Sequence, residues 1–169
     1  MSDYQEVDGY LKHRTALIGP SVKIGKGCII HPFTNLYGSV EIGDGTTIGS
    51  YTLCGPDVTV GRNCKIGSYV HLMGTIGDGC FVGPGAMFTN DKHPAAVNDN
   101  YELLTAKDWV CTPPVLGNRV VIGAQALILP GVKIGDSVFV AAGAVVTKDV
   151  EANQTVMGFP ARVRVYHEG

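Results

Sequence analysis

A short polar run, Asn90-Asp91-Lys92-His93, interrupts a chain that is otherwise built from small and apolar residues at regular intervals. Its residue types suit general acid–base chemistry, in which one side chain takes a proton while another holds the reacting group in place. His93 can take a proton near neutral pH. Asn90 can accept a hydrogen bond from an amine, and Asp91 can orient the imidazole or bind an ammonium group. Because a histidine in a loop is more often simply exposed, composition alone does not assign the base.

The elements that must hold this run repeat every six residues. A column of apolar residues recurs at that spacing, and a second column of small or β-branched residues lies two positions before it. Residues two apart in an extended segment face the same side, so both columns are predicted to point inward. The first column is Ile18, Ile24, Ile30, Leu36, Ile42, Ile48, Cys54, Val60, Ile66, Leu72, Ile76, Val82, Phe88, Leu116, Ile122, Ile128, Ile134, Val140 and Val146. The second is Val22, Cys28, Thr34, Val40, Thr46, Thr52, Val58, Cys64, Val70, Cys80, Ala86, Val120, Ala126, Val132, Val138, Ala144 and Val150.

Glycine often follows the larger apolar residue, as at Gly49, Gly67 and Gly123, and the chain is predicted to turn a corner there. No helical periodicity competes with the six-residue repeat. One rung cannot bury its apolar face, but stacked rungs can, so the predicted fold is all-β, a parallel β-solenoid. A sandwich of hairpins would need longer alternating strands and two-residue Asn-Gly turns, and neither occurs.

The repeats resemble the hexapeptide repeat of the left-handed β-helix acyltransferases. The stretches that carry the resemblance are Ile-Gly-Asp-Gly-Thr-Thr, Val-Gly-Arg-Asn-Cys-Lys, Ile-Gly-Ala-Gln-Ala-Leu and Ile-Gly-Asp-Ser-Val-Phe. In that family three hexapeptides form one triangular coil. The resemblance implies a left-handed parallel β-helix over residues 18–164, a lead-in or cap over 1–17 and a tail over 165–169. It also implies a homotrimer with active sites between subunits.

The interruption of the repeat, at about residues 91–114, is predicted to leave the helix as a loop. A loop this long in so regular a scaffold is usually functional, although it could also serve only to pack subunits together. Four of the five cysteines lie in the inward columns and are predicted to be core residues. The fifth, Cys111, lies in the loop with the single tryptophan, Trp109, and the roles of both stay open.

Two resemblances concern the acceptor site. His93-Pro94 resembles the His-Pro of galactoside and maltose acetyltransferases, in which the histidine is the general base. The longer run Phe-Thr-Asn-Asp at 88–91, preceded by Val-Gly-Pro at 82–84, is more similar to N-acetyltransferases that act on the 3-amino group of nucleotide-linked sugars. There the asparagine that matches Asn90 lies beside the acceptor amine. The two branches disagree about His93 and agree on the place of the acceptor.

The coenzyme site is implied by the later repeats. The run Ala-Ala-Gly-Ala-Val-Val-Thr-Lys-Asp at 141–149 resembles the family's coenzyme A segment, and Gly-Phe-Pro-Ala-Arg at 158–162 resembles its tail. Ala124 and Ala142 are 18 residues apart and should stack about 4.8 Å apart, leaving a groove for the pantetheine chain. The resemblance therefore implies acetyl-CoA contacts from Ala124, Ala142, Thr147, Lys148 and Arg162. The two basic residues of this set suit phosphate oxygens.

Composition excludes several other classes. The net charge is −2 with no basic run, which argues against nucleic acid as a partner. No long apolar stretch or signal peptide is present, so no membrane partner is expected and the predicted location is cytoplasmic. The cysteines form no CxxC pair, so neither a disulfide framework nor a metal is expected.

The leading hypothesis is an acetyl-CoA-dependent N-acetyltransferase whose small-molecule acceptor is a nucleotide-linked 3-amino sugar. One alternative is an O-acetyltransferase that uses His93 as the base. A gamma-class carbonic anhydrase needs three histidines on a metal, two of them about five residues apart, and His93 has no such partner. A non-catalytic solenoid used for assembly is the third alternative. The sugar, its nucleotide and the choice of amine or hydroxyl depend on the shape of the groove between subunits.

Overall fold

A computed structural model describes residues 3–164 of the protein. Within that range the chain forms short strands and no helix, and therefore no helix long and apolar enough to cross a membrane. The strands are β1 (Tyr4–Val7), β2 (Tyr10–His13), β3 (Leu17–Ile18), β4 (Lys23–Ile24), β5 (Ile29–Ile30), β6 (Asn35–Leu36), β7 (Glu41–Ile42), β8 (Thr47–Ile48), β9 (Leu53–Cys54), β10 (Thr59–Val60), β11 (Lys65–Ile66), β12 (His71–Leu72), β13 (Thr75–Ile76), β14 (Phe81–Val82), β15 (Met87–Phe88), β16 (Val115–Leu116), β17 (Val121–Ile122), β18 (Leu127–Ile128), β19 (Lys133–Ile134), β20 (Phe139–Val140), β21 (Val145–Val146), β22 (Thr155–Met157) and β23 (Arg162–Val163).

These strands form three sheets, which the chain visits in rotation from β2 to β21. Face 1 has the order β1-β2-β5-β8-β11-β14-β17-β20-β22-β23, face 2 the order β3-β6-β9-β12-β15-β18-β21 and face 3 the order β4-β7-β10-β13-β16-β19. Within each face, consecutive coils pair in parallel, as Ile66 does with Ile48 and Val82. Antiparallel pairs join β1 to β2 and β22 to β23, at the two ends of the described range. We call the turn between faces 1 and 2 the first corner and the turn between faces 2 and 3 the second corner.

The inward columns predicted from the sequence form the core. Their members are almost all buried, and only Ile18, Val22 and Ile24 at the first coils are half-buried. The hydroxyls of the buried threonines in the second column form hydrogen bonds inside the β-helix. For example, the Thr46 hydroxyl donates to the carbonyl of Gly61 at 2.8 Å. The four cysteines of the columns are buried, which confirms them as core residues, and burial raises the pKa of Cys54 to about 12.

The glycines differ from the expectation in their physical role. Those that follow the larger apolar residue do not adopt positive φ. They are small because the next coil passes too close: a Cβ on Gly123 would meet the backbone of Ala141 and Ala142, and one on Gly67 would lie 2.7 Å from the nitrogen of Pro84. The left-handed residues lie two positions further on. Many of these are not glycine but Phe33, Tyr51, Asn63, Tyr69, Arg119, Gln125 and Ser137.

The predicted fold class, an all-β parallel β-helix of hexapeptide repeats with one extended loop, is confirmed. The loop lies between the end of β15 at Phe88 and the start of β16 at Val115. The division of a lead-in at 1–17 from the helix stays a prediction, and in the structure β2 already pairs with β5. The predicted tail at 165–169 lies outside the described residues.

Replacement of Gly123 by alanine tests this close approach of coils. We expect Gly123→Ala to lower the free energy of unfolding by about 1–3 kcal/mol, because the new Cβ would overlap backbone that has no room to move. Gly19→Ala is the matched control, since its Cβ would lie 3.3 Å from the nearest atom, the Leu36 carbonyl oxygen. Urea denaturation of both variants measures the difference. Equal stabilities would contradict the close-approach explanation.

Candidate active site

The loop leaves the β-helix at the second corner, directly after β15. Thr89 still follows the helix, since its N–H donates to the carbonyl of Ile128 in the next coil at 3.0 Å. The next residue, Asn90, departs from it and accepts a hydrogen bond from the N–H of Thr112 at 2.7 Å. This bond closes the base of the loop and holds Asn90, which is half-buried, at the surface of the β-helix. The loop therefore begins and ends at one point of the scaffold.

Asn90 is in contact with the returning segment of the loop. Its Nδ2 lies 3.5 Å from Sγ of Cys111, which is exposed. The sequence left the role of Cys111 open, and the structure places this thiol beside the residue predicted to meet the acceptor. The two residues are separated by 21 positions, so only closure of the loop brings them together.

Asp91 and His93 form a tight turn just beyond Asn90. Oδ1 of Asp91 accepts the backbone N–H of His93 at 2.8 Å. This contact orders the backbone of the turn, whereas the sequence suggests Asp91 as a partner of the imidazole ring. The His93 side chain is exposed on the loop. The geometry therefore presents an imidazole that a ligand can approach.

Two clefts of about 280 Å³ each flank this turn. Both are lined by Asp91 and His93 from the start of the loop and by Asp108 and Trp109 from its return. The pKa of Asp108 is lowered, because its carboxylate accepts hydrogen bonds from the hydroxyl and the N–H of Thr105. Sequence reasoning missed Asp108 and left Trp109 open, since nothing in their spacing relates them to His93.

The loop has regular structure of its own. Leu104 donates to the carbonyl of Ala96 at 3.0 Å, and Val97 pairs antiparallel with Leu103. At its base, Lys92 lies over the corner at Gly131, where an added Cβ would be 3.1 Å from the lysine Nζ. The loop is thus a hairpin that is anchored on the following coil.

The predicted coenzyme residues occupy two different corners. Ala124 and Ala142 stack at the first corner, where the N–H of Gly143 donates to the carbonyl of Ala124 at 2.8 Å. Thr147 and Lys148 follow β21 at the second corner. The structure therefore places the two alanines on one edge of face 2 and these two residues on the opposite edge.

The second corner joins the acceptor residue to the later coenzyme residues. The N–H groups of Thr89 and Leu129 bond the carbonyls of Ile128 and Val146, so positions 89, 129 and 147 form one column. Thr89 and Thr147 consequently lie two coils apart, which is about 10 Å at the usual strand spacing, and Asn90 and Lys148 are the residues that follow them. Lys148 also lines a cleft of about 250 Å³ with Arg162, which lies on β23 at the edge of face 1.

Comparison with known proteins places this architecture in a family. Residues 21–56, 40–74 and 113–148 match the model of the bacterial transferase hexapeptide family (six repeats). Together these segments cover more than half of the chain. The chain belongs to this hexapeptide transferase family. The family recognised from the sequence is thereby confirmed.

Two named relatives and one solved structure extend the comparison. The chain is 28% identical to the galactoside O-acetyltransferase of Escherichia coli over 96% of its own length and 69% of that protein. It is 53% identical to the 2,3,4,5-tetrahydropyridine-2,6-dicarboxylate N-acetyltransferase of Enterococcus faecalis over 30% of its own length and 22% of that protein. The fold is similar to a mutant of AntD, an N-acyltransferase from Bacillus cereus, in complex with dTDP and coenzyme A. That match has a TM-score of 0.64 at 21% identity, and covers 99% of this chain and 92% of AntD.

The acyltransferase class predicted from the sequence is the class of these named proteins, and coenzyme A is present in the AntD structure. In residues 3–164 no three histidine, cysteine or acidic side chains are grouped so that they could hold a metal ion.

Thiol labelling tests the placement of Cys111. We expect Ellman's reagent to modify one thiol per native chain, because Cys111 is exposed and the other four cysteines are buried. Cys111→Ser should abolish the native reaction, and unfolding in guanidinium should release four thiols in that variant. Labelling of two or more thiols in the native wild-type protein would contradict the structure.

Proposed function

We propose that the protein transfers the acetyl group of acetyl-CoA to the amino group of a nucleotide-linked 3-amino sugar. The observation that carries the proposal is the column at the second corner. It sets Asn90, the residue suited to an amine, about two coils from the cleft that Lys148 and Arg162 share. An acceptor and a coenzyme bound along this edge would meet end to end.

The main task of the protein in this reaction is to position the amine against the thioester. The amine nitrogen attacks the thioester carbon, the tetrahedral intermediate collapses, and the thiolate of coenzyme A leaves. Because the Asn90 amide nitrogen contacts Cys111, its carbonyl oxygen is the atom that can accept from the amine and hold the lone pair in line. The proton that the nitrogen loses passes to His93 or to water.

A single copy of the chain divides the coenzyme residues between two edges of face 2, so we propose that the site is completed between copies in a homotrimer. The outward side chains support this arrangement. Faces 1 and 2 expose Leu17, Phe81, Met87 and Phe139, each at 45% or more of its surface, as unpartnered apolar residues do at subunit contacts. Among the described residues, face 3 exposes one large apolar side chain on its strands, Val115 at 44%, and it carries the ion pair of Lys23 and Glu41, which suits contact with solvent.

Transfer to a sugar hydroxyl is the second candidate. It is favoured by the match to galactoside O-acetyltransferase, which covers almost the whole chain. A hydroxyl must lose its proton during attack, so this reaction would depend on His93 as the base. Thiol release from acetyl-CoA, measured with UDP- and dTDP-amino sugars, galactosides and tetrahydropyridine dicarboxylate, separates the candidates. Release with galactosides and with no amino sugar would overturn the N-acetyl proposal.

Substitution of Asn90 and His93 tests the acceptor site. We expect Asn90→Ala to lower kcat/KM for the amino sugar by about 10- to 100-fold, because the amine loses the hydrogen bond that positions it. A fall of about 100-fold in His93→Ala would assign the base to the imidazole, and a fall below about 3-fold would assign the proton to water. Tyr101→Ala, at the 88% exposed tip of the loop, is the control and should retain full activity. Unchanged turnover in both site variants would contradict the assignment.

Coenzyme binding tests the cleft that Lys148 and Arg162 line. We expect Lys148→Ala and Arg162→Ala each to raise the Kd of coenzyme A by about 5- to 30-fold, because a phosphate loses a charge-assisted hydrogen bond. The matched control is Lys23→Ala, which removes the same charge on face 3. Calorimetric titration of each variant gives the Kd values. Equal Kd values for the wild-type protein and all three variants would show that coenzyme A does not bind in this cleft.

A further inference from the structure

Three aromatic side chains stack on one another along the first corner, and we call Phe33, Tyr51 and Tyr69 the aromatic ladder. The ring centroids of Phe33 and Tyr51 are 4.9 Å apart, as are those of Tyr51 and Tyr69. The planes of the two tyrosine rings differ by only 4°. Each residue exposes about half of its surface or more, and Tyr69 exposes 66%. Exposed aromatic groups of this kind mark binding surfaces, since each ring offers a large apolar face.

The backbone sets the position of the next rung. Each ladder residue adopts a left-handed conformation, with φ between 59° and 60°. The N–H of Tyr69 bonds a carbonyl of the preceding coil at 2.9 Å, and Gly85 and Gln125 repeat that bond one and two coils later. Their φ angles of 70° and 58° match those of the ladder. Gly85 therefore occupies the ladder position directly beyond Tyr69, without a side chain to fill it.

The rung at Gly85 carries no side chain of its own, and the Gln125 side chain of the next coil leans toward it. Tyr51 covers one face of the Tyr69 ring, so the other face is turned toward Gly85. A Cβ added to Gly85 would meet only Cγ of Gln125, at 3.4 Å, among the atoms within 4 Å. Tyr69 and Gln125 are two coils apart, about 9.6 Å, and a ring placed midway would lie at the usual stacking distance from Tyr69.

We propose that the rung at Gly85 is a stacking subsite for a nucleobase, which lies against the ring of Tyr69. The amide of Gln125, on the far side of the rung, offers both a donor and an acceptor to the polar edge of the base. Stacking tolerates any base, because every base has a π-face, and Gln125 supplies the polar contact that distinguishes one base from another. Here the proposal rests on the proposed function, in that the base is part of the nucleotide-linked acceptor.

The position of the ladder along the β-helix favours the acceptor over the adenine of coenzyme A. Ala124 and Ala142, the proposed coenzyme contacts at this corner, lie on the side of Gly85 away from the ladder. The other proposed coenzyme residues lie still further along the coils, up to Arg162. The ladder is thus on the acceptor side of the corner, and a base at Gly85 would sit between the ladder and the coenzyme.

Titration of the full-length protein with UDP, dTDP, GDP and coenzyme A tests this subsite without requiring turnover. We expect Tyr69→Asn to raise the Kd of the preferred nucleoside diphosphate by about 5- to 100-fold, the range for loss of a base–aromatic stack. Asparagine tolerates the left-handed backbone, so the corner should keep its shape. Tyr69→Phe keeps the ring and should restore affinity. Phe33→Asn, the same loss of a ring at the far end of the ladder, should leave every Kd unchanged.

Several outcomes would overturn the subsite. These are a wild-type protein that binds no nucleoside diphosphate, a Tyr69→Asn variant that loses affinity for coenzyme A instead, and a Tyr69→Asn variant that changes its assembly state in size-exclusion chromatography. The first outcome would show that the protein has no nucleotide to stack. The second would show that the rung binds the adenine of coenzyme A. The third would show that the ladder is a contact between copies of the chain.

Failure of the subsite and failure of the proposed function give different results. Loss of nucleotide binding in Tyr69→Asn, combined with no acetyl transfer to any amino sugar by the wild-type protein, would support the subsite and overturn the function. Acetyl transfer to an amino sugar with the same KM in wild type and Tyr69→Asn would support the proposed function and overturn the subsite.

Discussion

Close contact between the backbones of successive coils is the constraint on which the rest of this structure depends. Coils pair in parallel at the spacing of adjacent strands, about 4.8 Å, and the corners come so near that no Cβ fits at Gly67 or Gly123. This contact satisfies the backbone polar groups and stacks the inward side chains into a continuous core. It also makes every position of one coil a neighbour of the equivalent position in the next. Function on such a scaffold is therefore organised in columns.

Two of these columns carry the chemistry that we assign. The second corner bears Asn90, the base of the loop and Lys148, which are polar and suited to an amine and a phosphate. The first corner bears Ala124 and Ala142 and, in earlier coils, the aromatic ladder, which offers flat apolar surfaces. The two corners bound the same face, so a ligand that uses both must cross face 2 or lie between two copies of the chain. The apolar outward residues of that face, such as Met87, fit the second arrangement.

The structure confirms the predicted fold but gives some residues a physical role different from the one that the sequence suggests. The glycines after the larger apolar residues are required by the neighbouring coil and not by their own φ angles. Asp91 contacts the backbone of His93 and not its ring. In each case the observed contact depends on atoms of a different coil or on the exact direction of a side chain. Spacing along the chain does not encode either.

The sequence by itself determined the β-helix, the two buried columns, the burial of four cysteines and the place of the loop. A period of six fixes which residues face the core, and the repeat breaks after Phe88, where the second column would place a small residue at position 92 and the chain has Lys92. Only the tertiary structure decided that Cys111 meets Asn90, that Asp108 and Trp109 flank His93, and that three aromatic residues stack beside Gly85, a rung without a side chain. The loop has no period, so its contacts follow from chain closure over 21 positions. The ladder depends on left-handed corners, which the inward columns do not reveal.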